Sequence, residues 1–255
     1  RGQLEAWGLG AVLDAQQLSM DRPVALKVMA PALTRDPGLL ERFLLEGRTA
    51  GQVSHPNVVG AIDLGRCGDY CYYATEKVEG QPLRALLRGG PLPVAMALDL
   101  ARQAAQALAH IHDLGLTHRD VQPDNLLLTG EGVVRLRNIG ATRLPGDPSV
   151  QRTGIPLGTP GYSAPELAAN GARADIRADL YSLGATLYHA VTGQRPGDPT
   201  SGAVPPPSAL RPELPGPVSG MIWRLMALDP TKRFPDPAAL LGAIVLEQLR
   251  PTTVT

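Results

Sequence analysis

The chain has 255 residues, 44% hydrophobic and 19% charged, which is enough apolar material for a sizeable core and excludes a disordered segment. Lys plus Arg and Asp plus Glu both number 24, so the formal net charge is zero and there is no overall basic field of the kind that grips nucleic acid. No stretch of about 18 apolar residues runs without a charge, so no membrane-spanning helix and no membrane contact are expected from this segment.

The 28 Gly and 25 Pro are scattered between periodic segments, which predicts a mixed fold with many turns. Arg22 to Met29 reads as a buried strand carrying one Lys, Lys27, which needs an anionic partner. Pro37 to Val53 has helical spacing, with Leu40, Phe43, Leu44 and Gly47 near one face and Glu46 beside it. Two strands are predicted next, Val58 to Gly65 and Tyr70 to Val78, joined by a turn flanked by Cys67 and Cys71. Two cysteines are too few for a disulfide framework or a four-ligand zinc site. They read as small reduced hydrophobes of a cytoplasmic protein.

From Gly80 onward the pattern turns helical. Val94, Ala97, Leu98, Ala101, Ala104, Ala105, Leu108 and Ile111 recur at intervals of three and four, ending at Gly115. Leu126 to Leu128 and Val133 to Leu136 predict a hairpin. Residues 140 to 165 have no period and read as a long functional loop. Helices are expected again over Asp179 to Thr192, Val218 to Leu228 and Pro237 to Leu249, with a Pro-rich ordered connector from Gln194 to Pro217. The opening Arg1-Gly2-Gln3-Leu4 has no initiator Met and no signal peptide, so the segment is expected to be the cytosolic domain of a longer protein.

The most specific string is His118-Arg119-Asp120-Val121-Gln122-Pro123-Asp124-Asn125. It resembles the protein-kinase catalytic loop, H-R-D-x-K-x-x-N. Val24-Ala25-Leu26-Lys27 resembles the third-strand V-A-x-K, and Glu46 falls where the family's helix C supplies the partner of that Lys. Gly158-Thr159-Pro160-Gly161-Tyr162-Ser163-Ala164-Pro165-Glu166 resembles the end of the activation segment. Asp179 to Gly184 resembles the buried D-x-x-S-x-G, and Arg233 matches the Arg that pairs with the A-P-E glutamate. The ordered matches span nearly the whole chain and are most similar to bacterial serine/threonine kinases.

The resemblance implies an α+β bilobal kinase fold in one domain over 1–255. Its N-lobe, 1–78, would be a small antiparallel sheet plus one helix, and its C-lobe, 79–255, mainly helical. It also implies roles. Lys27, oriented by Glu46, would hold the α- and β-phosphates of ATP. Asp120 would stand at the base position, and Asn125 would ligate magnesium. Val12, Ala25 and Leu127 would sandwich the purine, Glu76 to Val78 would offer backbone hydrogen bonds, and Thr75 would guard the back of the pocket. Thr159 points to serine or threonine as the acceptor. Glu166 would pair with Arg233, His118 would be packed in the core, and Ser149 and Thr153 would lie in the loop that kinases often phosphorylate, with Arg119 as a phosphate receiver.

Three departures stand out. Asn138-Ile139-Gly140 occupies the place of D-F-G, so the main metal-binding Asp is replaced by a neutral amide, a poor ligand for hard magnesium. Gln122 replaces the Lys that neutralises the transferring phosphoryl group. Glu5, Trp7 and Gly10 stand at the three positions of the phosphate-covering G-x-G-x-x-G, with only the last glycine kept. Glu5 adds negative charge there and Trp7 adds bulk that could fill the cleft. The expectation is a pseudokinase signalling by binding a protein partner, with weak ATP binding and weak or no magnesium at Asn125 and Asn138. The alternative is an active or weakly active ATP-dependent kinase with a protein substrate, supported by the retained Lys27, Glu46, Asp120 and Asn125.

Overall fold

A computed structural model describes residues 2–7, 9–139, 159–170, 175–197 and 204–249. Strands β1 (Gly2–Trp7), β2 (Gly10–Gln17), β3 (Arg22–Met29), β4 (Ala61–Cys67) and β5 (Tyr70–Glu76) form one antiparallel sheet in the order β1-β2-β3-β5-β4. β3 lies at its centre, and its Val24, Lys27 and Met29 are buried. Helix α1 (Pro37–Ala50) starts where Asp36 accepts hydrogen bonds from the backbone N–H groups of Gly38 and Leu39, with Pro37 in its first turn. It buries Phe43 against Tyr73, whose ring centroid lies 5.3 Å away.

Strand β4 starts later and ends later than the pattern suggested. Asn57 to Val59 belong instead to the other half of the molecule. The backbone N–H of Leu136 donates to Asn57 O, and that of Val59 donates to Leu136 O. Gln103 fixes the junction, accepting from Asn57 Nδ2 at 2.9 Å and from the backbone N–H of Val134 at 2.8 Å. A buried amide serving both donors satisfies groups that would otherwise be costly to bury.

The remaining half is mainly helical. Residues 80–82 form a strand that the sequence reading missed: β6 (Gly80–Pro82) pairs with β7 (Leu126–Thr129), which pairs with β8 (Val134–Leu136). Helix α2 (Leu83–Leu87) follows β6, and α3 (Val94–Asp113) is the long helix expected there. After α4 (Pro165–Asn170) comes α5 (Arg177–Thr192), buried along most of its length. Gly184 of α5 is required by close approach, because a Cβ there would sit 2.5 Å from the Leu225 Cβ. Helices α6 (Pro207–Leu210), α7 (Gly216–Leu225) and α8 (Pro237–Gln248) complete the half, with α8 packed on α3. α2, α4 and α6 were not expected, being too short to show a period. Residues 140–158, with Ser149 and Thr153, lie outside the described residues; of the rest of the expected loop, 159–164 form a turn and α4 starts at Pro165. Among the described residues no helix is long and apolar enough to cross a membrane.

Candidate functional site

A cavity of about 590 Å³ opens beneath the five-stranded sheet. Val12 and Ala25 line it from β2 and β3, Leu127 from β7, and Thr75, Glu76 and Val78 from the segment leading to β6. Lys27 and Asn138 also face it. Glu46, Asp120, Gln122 and Asn125 are not among its lining residues. β3 delivers Ala25 and Lys27 to one face because strand side chains alternate. Gly10, the retained glycine, is compelled, since a Cβ there would lie 1.9 Å from Val28 O.

Lys27 Nζ meets Glu46 Oε1 at 2.5 Å, and both side chains are about nine-tenths buried. Tyr73 donates its hydroxyl to the same Glu46 oxygen at 2.9 Å. Burial and then the Glu46 carboxylate push the Tyr73 hydroxyl well above its ordinary value, which keeps it a donor. Trp7 is not among the residues lining the cavity. Its ring stacks on Phe43 at 6.0 Å and covers Lys27 Nζ at 4.1 Å. Trp7 thus makes a cation–π contact with Lys27, a residue that lines the cavity.

The loop from Thr117 to Asn125 is held from below by Asp179. Its carboxylate accepts from the backbone N–H groups of His118 and Arg119, at 2.8 and 2.6 Å, and meets His112 Nε2 at 2.8 Å. Burial alone would raise the Asp179 carboxyl, but these bonds and the neighbouring imidazoles hold it below its ordinary value. The bond to Asp179 also stabilises Arg119 at φ +66°, a left-handed conformation rare outside glycine. Arg119 is 1% exposed, with Nε on Thr117 Oγ1. His118 is fully buried, as expected, with Nε2 at 3.0 Å from Arg137 O.

Asp120 is surrounded by donors. Gln122 Nε2 reaches both carboxylate oxygens at 2.9 and 3.0 Å, Asn125 Nδ2 reaches Oδ2 at 2.8 Å, and Thr159 Oγ1 reaches Oδ1 at 3.1 Å. Gln122 thus binds the Asp120 carboxylate through a neutral amide. Because Asn125 Nδ2 is committed to Asp120, its Oδ1 faces Asn138, whose Nδ2 donates to it at 2.8 Å. Asn138 stands at φ +64°, which Asn tolerates better than most residues.

This geometry does not fit magnesium. The Asn125 oxygen already accepts the Asn138 N–H, and neither asparagine supplies the charge that a hard dication prefers. Among the described residues no group of three or more His, Cys, Asp or Glu side chains is placed to hold a metal.

Glu5 forms an ion pair across the cleft. Its Oε2 lies 2.8 Å from Nη1 of Arg137, the residue before Asn138. Arg137 Nε also donates to Asp124 O at 3.0 Å. No spacing rule pointed to Arg137, because its partner lies more than a hundred residues away. On the far side, Glu166 and Arg233 form a two-pronged pair at 2.6 and 2.9 Å, and Arg233 lies beneath Tyr181.

Residues 7–204 match the protein kinase domain family. The chain belongs to the protein kinase family. It is 41% identical over 202 residues to the serine/threonine-protein kinase pkn2 of Myxococcus xanthus, an alignment covering 76% of this chain and 24% of that protein. It is 37% identical over 243 residues to serine/threonine-protein kinase PknA of Mycobacterium tuberculosis, covering 89% of this chain and 56% of that protein. A solved kinase domain, PknI of Mycobacterium tuberculosis, superposes with a TM-score of 0.78 at 29% identity, covering 96% of this chain and 94% of that one. The chain therefore spans between about a quarter and just over half of those two curated relatives. The kinase fold, with its antiparallel-sheet lobe and helical lobe, is the one the sequence resemblance implied.

Proposed function

We propose that this kinase-family domain is a pseudokinase, with phosphotransfer lost or strongly reduced, that acts in signalling by binding a protein partner. The observation that carries the reading is the Asn138–Asn125 hydrogen bond, which occupies the place where the family anchors its cation. Phosphoryl transfer depends mostly on positioning and on neutralising phosphate charge. Loss of about 4 kcal/mol of such stabilisation is about three decades in rate. Gln122 removes a further cation from the same place.

The chain's own residues retain other tasks in this reading. Val12, Ala25 and Leu127 hold a purine, Glu76 and Val78 offer backbone hydrogen bonds, and Lys27 with Glu46 ties β3 to α1. Asp120 organises its loop through Gln122, Asn125 and Thr159. ATP binding is weak and magnesium adds little to it. The domain divides at residues 78 and 79 into its two lobes and works on the cytoplasmic side.

A second reading, a slow serine/threonine kinase, is favoured by the 2.5 Å Lys27–Glu46 pair and by the Thr159 hydroxyl on Asp120. Transfer of labelled phosphate from ATP to the protein itself and to a generic basic substrate separates the two. The pseudokinase reading expects no incorporation above that of Asp120→Asn. Incorporation that Asp120→Asn abolishes overturns it.

A further inference from the structure

Strand β1 is exposed from Gly2 to Ala6, and only Trp7 at its end is partly buried. The Trp7 ring stacks on Phe43 of α1 at 6.0 Å, with the planes 19° apart, and Phe43 in turn meets Tyr73 of β5 at 5.3 Å. Lys27 of β3 faces both outer rings, with Nζ 4.1 Å from the Trp7 centroid and 5.3 Å from that of Tyr73. Glu46 of α1 meets the same ammonium and accepts from the Tyr73 hydroxyl. Elements β1, β3, β5 and α1 thus converge on one cluster, which α1 enters through both Phe43 and Glu46. A buried ammonium gains from a ring face, because the ring's negative quadrupole replaces part of the lost hydration. The glycine that G-x-G-x-x-G would place at position 7 has no side chain, so Phe43 would lose its outer neighbour and Lys27 its cover. Trp7 Nε1 is buried and, among the described residues, has no hydrogen-bond partner. A buried indole N–H usually finds one, so here the ring face makes the contacts.

We infer that Trp7 is a positioning residue, an internal clamp from β1 that holds α1 against β3 and keeps the Lys27–Glu46 pair assembled without a ligand. The groups that fix the pair all come from the chain itself, so a nucleotide adds nothing to its assembly. The clamp stands apart from the pseudokinase reading, since an assembled pair serves a slow kinase equally well.

Two measurements on the whole domain, both resolved by mass spectrometry, test this. One is amide hydrogen exchange with and without ATP and magnesium chloride, and the other is acetic anhydride labelling of Lys27 without nucleotide. In the parent, α1 is expected to exchange at the same rate with and without nucleotide, within about a factor of two. Trp7→Gly is expected to speed exchange in α1 and labelling of Lys27 by at least about tenfold, leaving α3, α5 and the exposed Lys232 unmoved. Trp7→Phe is expected to stay within about threefold of the parent, because it keeps a ring face and gives up only the N–H. Trp7→Leu keeps apolar bulk without a ring, so it is expected to release Lys27 where Trp7→Phe does not, and it decides the matter if the glycine variant fails to fold. Parent rates in α1 and at Lys27 for Trp7→Gly overturn the inference, as does loosening of α3 and α5 to the same extent as α1. Leu and Phe variants that behave alike also overturn it, as does a parent α1 that is protected only when nucleotide is bound. The phosphate-transfer assay reads the pseudokinase proposal separately, since transfer that depends on Asp120 removes that proposal and leaves the clamp standing.

Discussion

Asn138 donates its side-chain amide to Oδ1 of Asn125 at 2.8 Å, and Asn125 cannot turn away because its own amide is committed to Asp120. Replacing Asn138 by Asp would put a carboxylate oxygen against that carbonyl oxygen. Asn138→Asp is therefore expected to lower stability by about 1–2 kcal/mol without divalent ions, the cost of losing a hydrogen bond and facing two acceptors together. Magnesium should recover that loss in the variant and leave the parent protein's melting temperature unmoved. Thermal unfolding with and without magnesium chloride checks both.

Charge repair should act on transfer itself. Asn138→Asp combined with Gln122→Lys is expected to raise phosphate incorporation by at least about tenfold over the parent. Adding Glu5→Gly should raise it again by opening the phosphate path. Radiolabel incorporation reads the series. No gain at the double variant but a gain at the triple would locate the limit at Glu5.

Removing one member of the buried Lys27–Glu46 pair should be costly whether or not a nucleotide binds. Glu46→Ala leaves the Lys27 ammonium with Trp7 and orphans the Tyr73 hydroxyl, for an expected loss of about 3–5 kcal/mol. Urea unfolding at constant slope measures it. A change within about 0.5 kcal/mol, the usual range for a surface substitution, would show that the pair adds nothing to the fold.

The parts of the fold that were legible in the sequence are those that local chemistry dictates. Apolar periodicity marked α3, helical spacing from Pro37 marked α1, and a lone Lys in an apolar strand demanded the partner that Glu46 supplies. The partnership of Glu166 with Arg233 came from their place in a recognised motif. What escaped is what distance in the chain conceals. β6 is three residues long and has its meaning only beside β7, and Val58 and Val59 read as the start of a strand although the Val59 N–H answers to Leu136 O. Glu5 read as an unfavourable charge; its pairing with Arg137 needs the lobes to be brought together.

Acid should destabilise the domain before any carboxylate titrates. Burial and then His110 hold the His55 imidazole below its ordinary value, and burial and then Arg84 and Arg195 do the same for His189. The unfolded chain therefore takes up these protons at higher pH than the folded one. Their contribution is fully present above about pH 6.5 and is lost as pH falls through that value toward the lower folded values. His55 Nδ1 accepts the backbone N–H of Asn57 at 3.1 Å, a bond that protonation removes. The melting temperature should be lower at about pH 5.5 than at about pH 7.5, and His55→Asn should flatten the slope. A melting temperature that rises on acidification contradicts this.

In the proposed reading, two neutral amides bonded to each other are too weak to anchor the cation on which phosphotransfer depends. Isothermal titration of the intact domain with a nonhydrolysable ATP analogue, in the presence and absence of magnesium, tests it most directly. The same dissociation constant is expected in both, within about a factor of two. A tightening of about tenfold or more with magnesium, equal to about 1.4 kcal/mol, would contradict it.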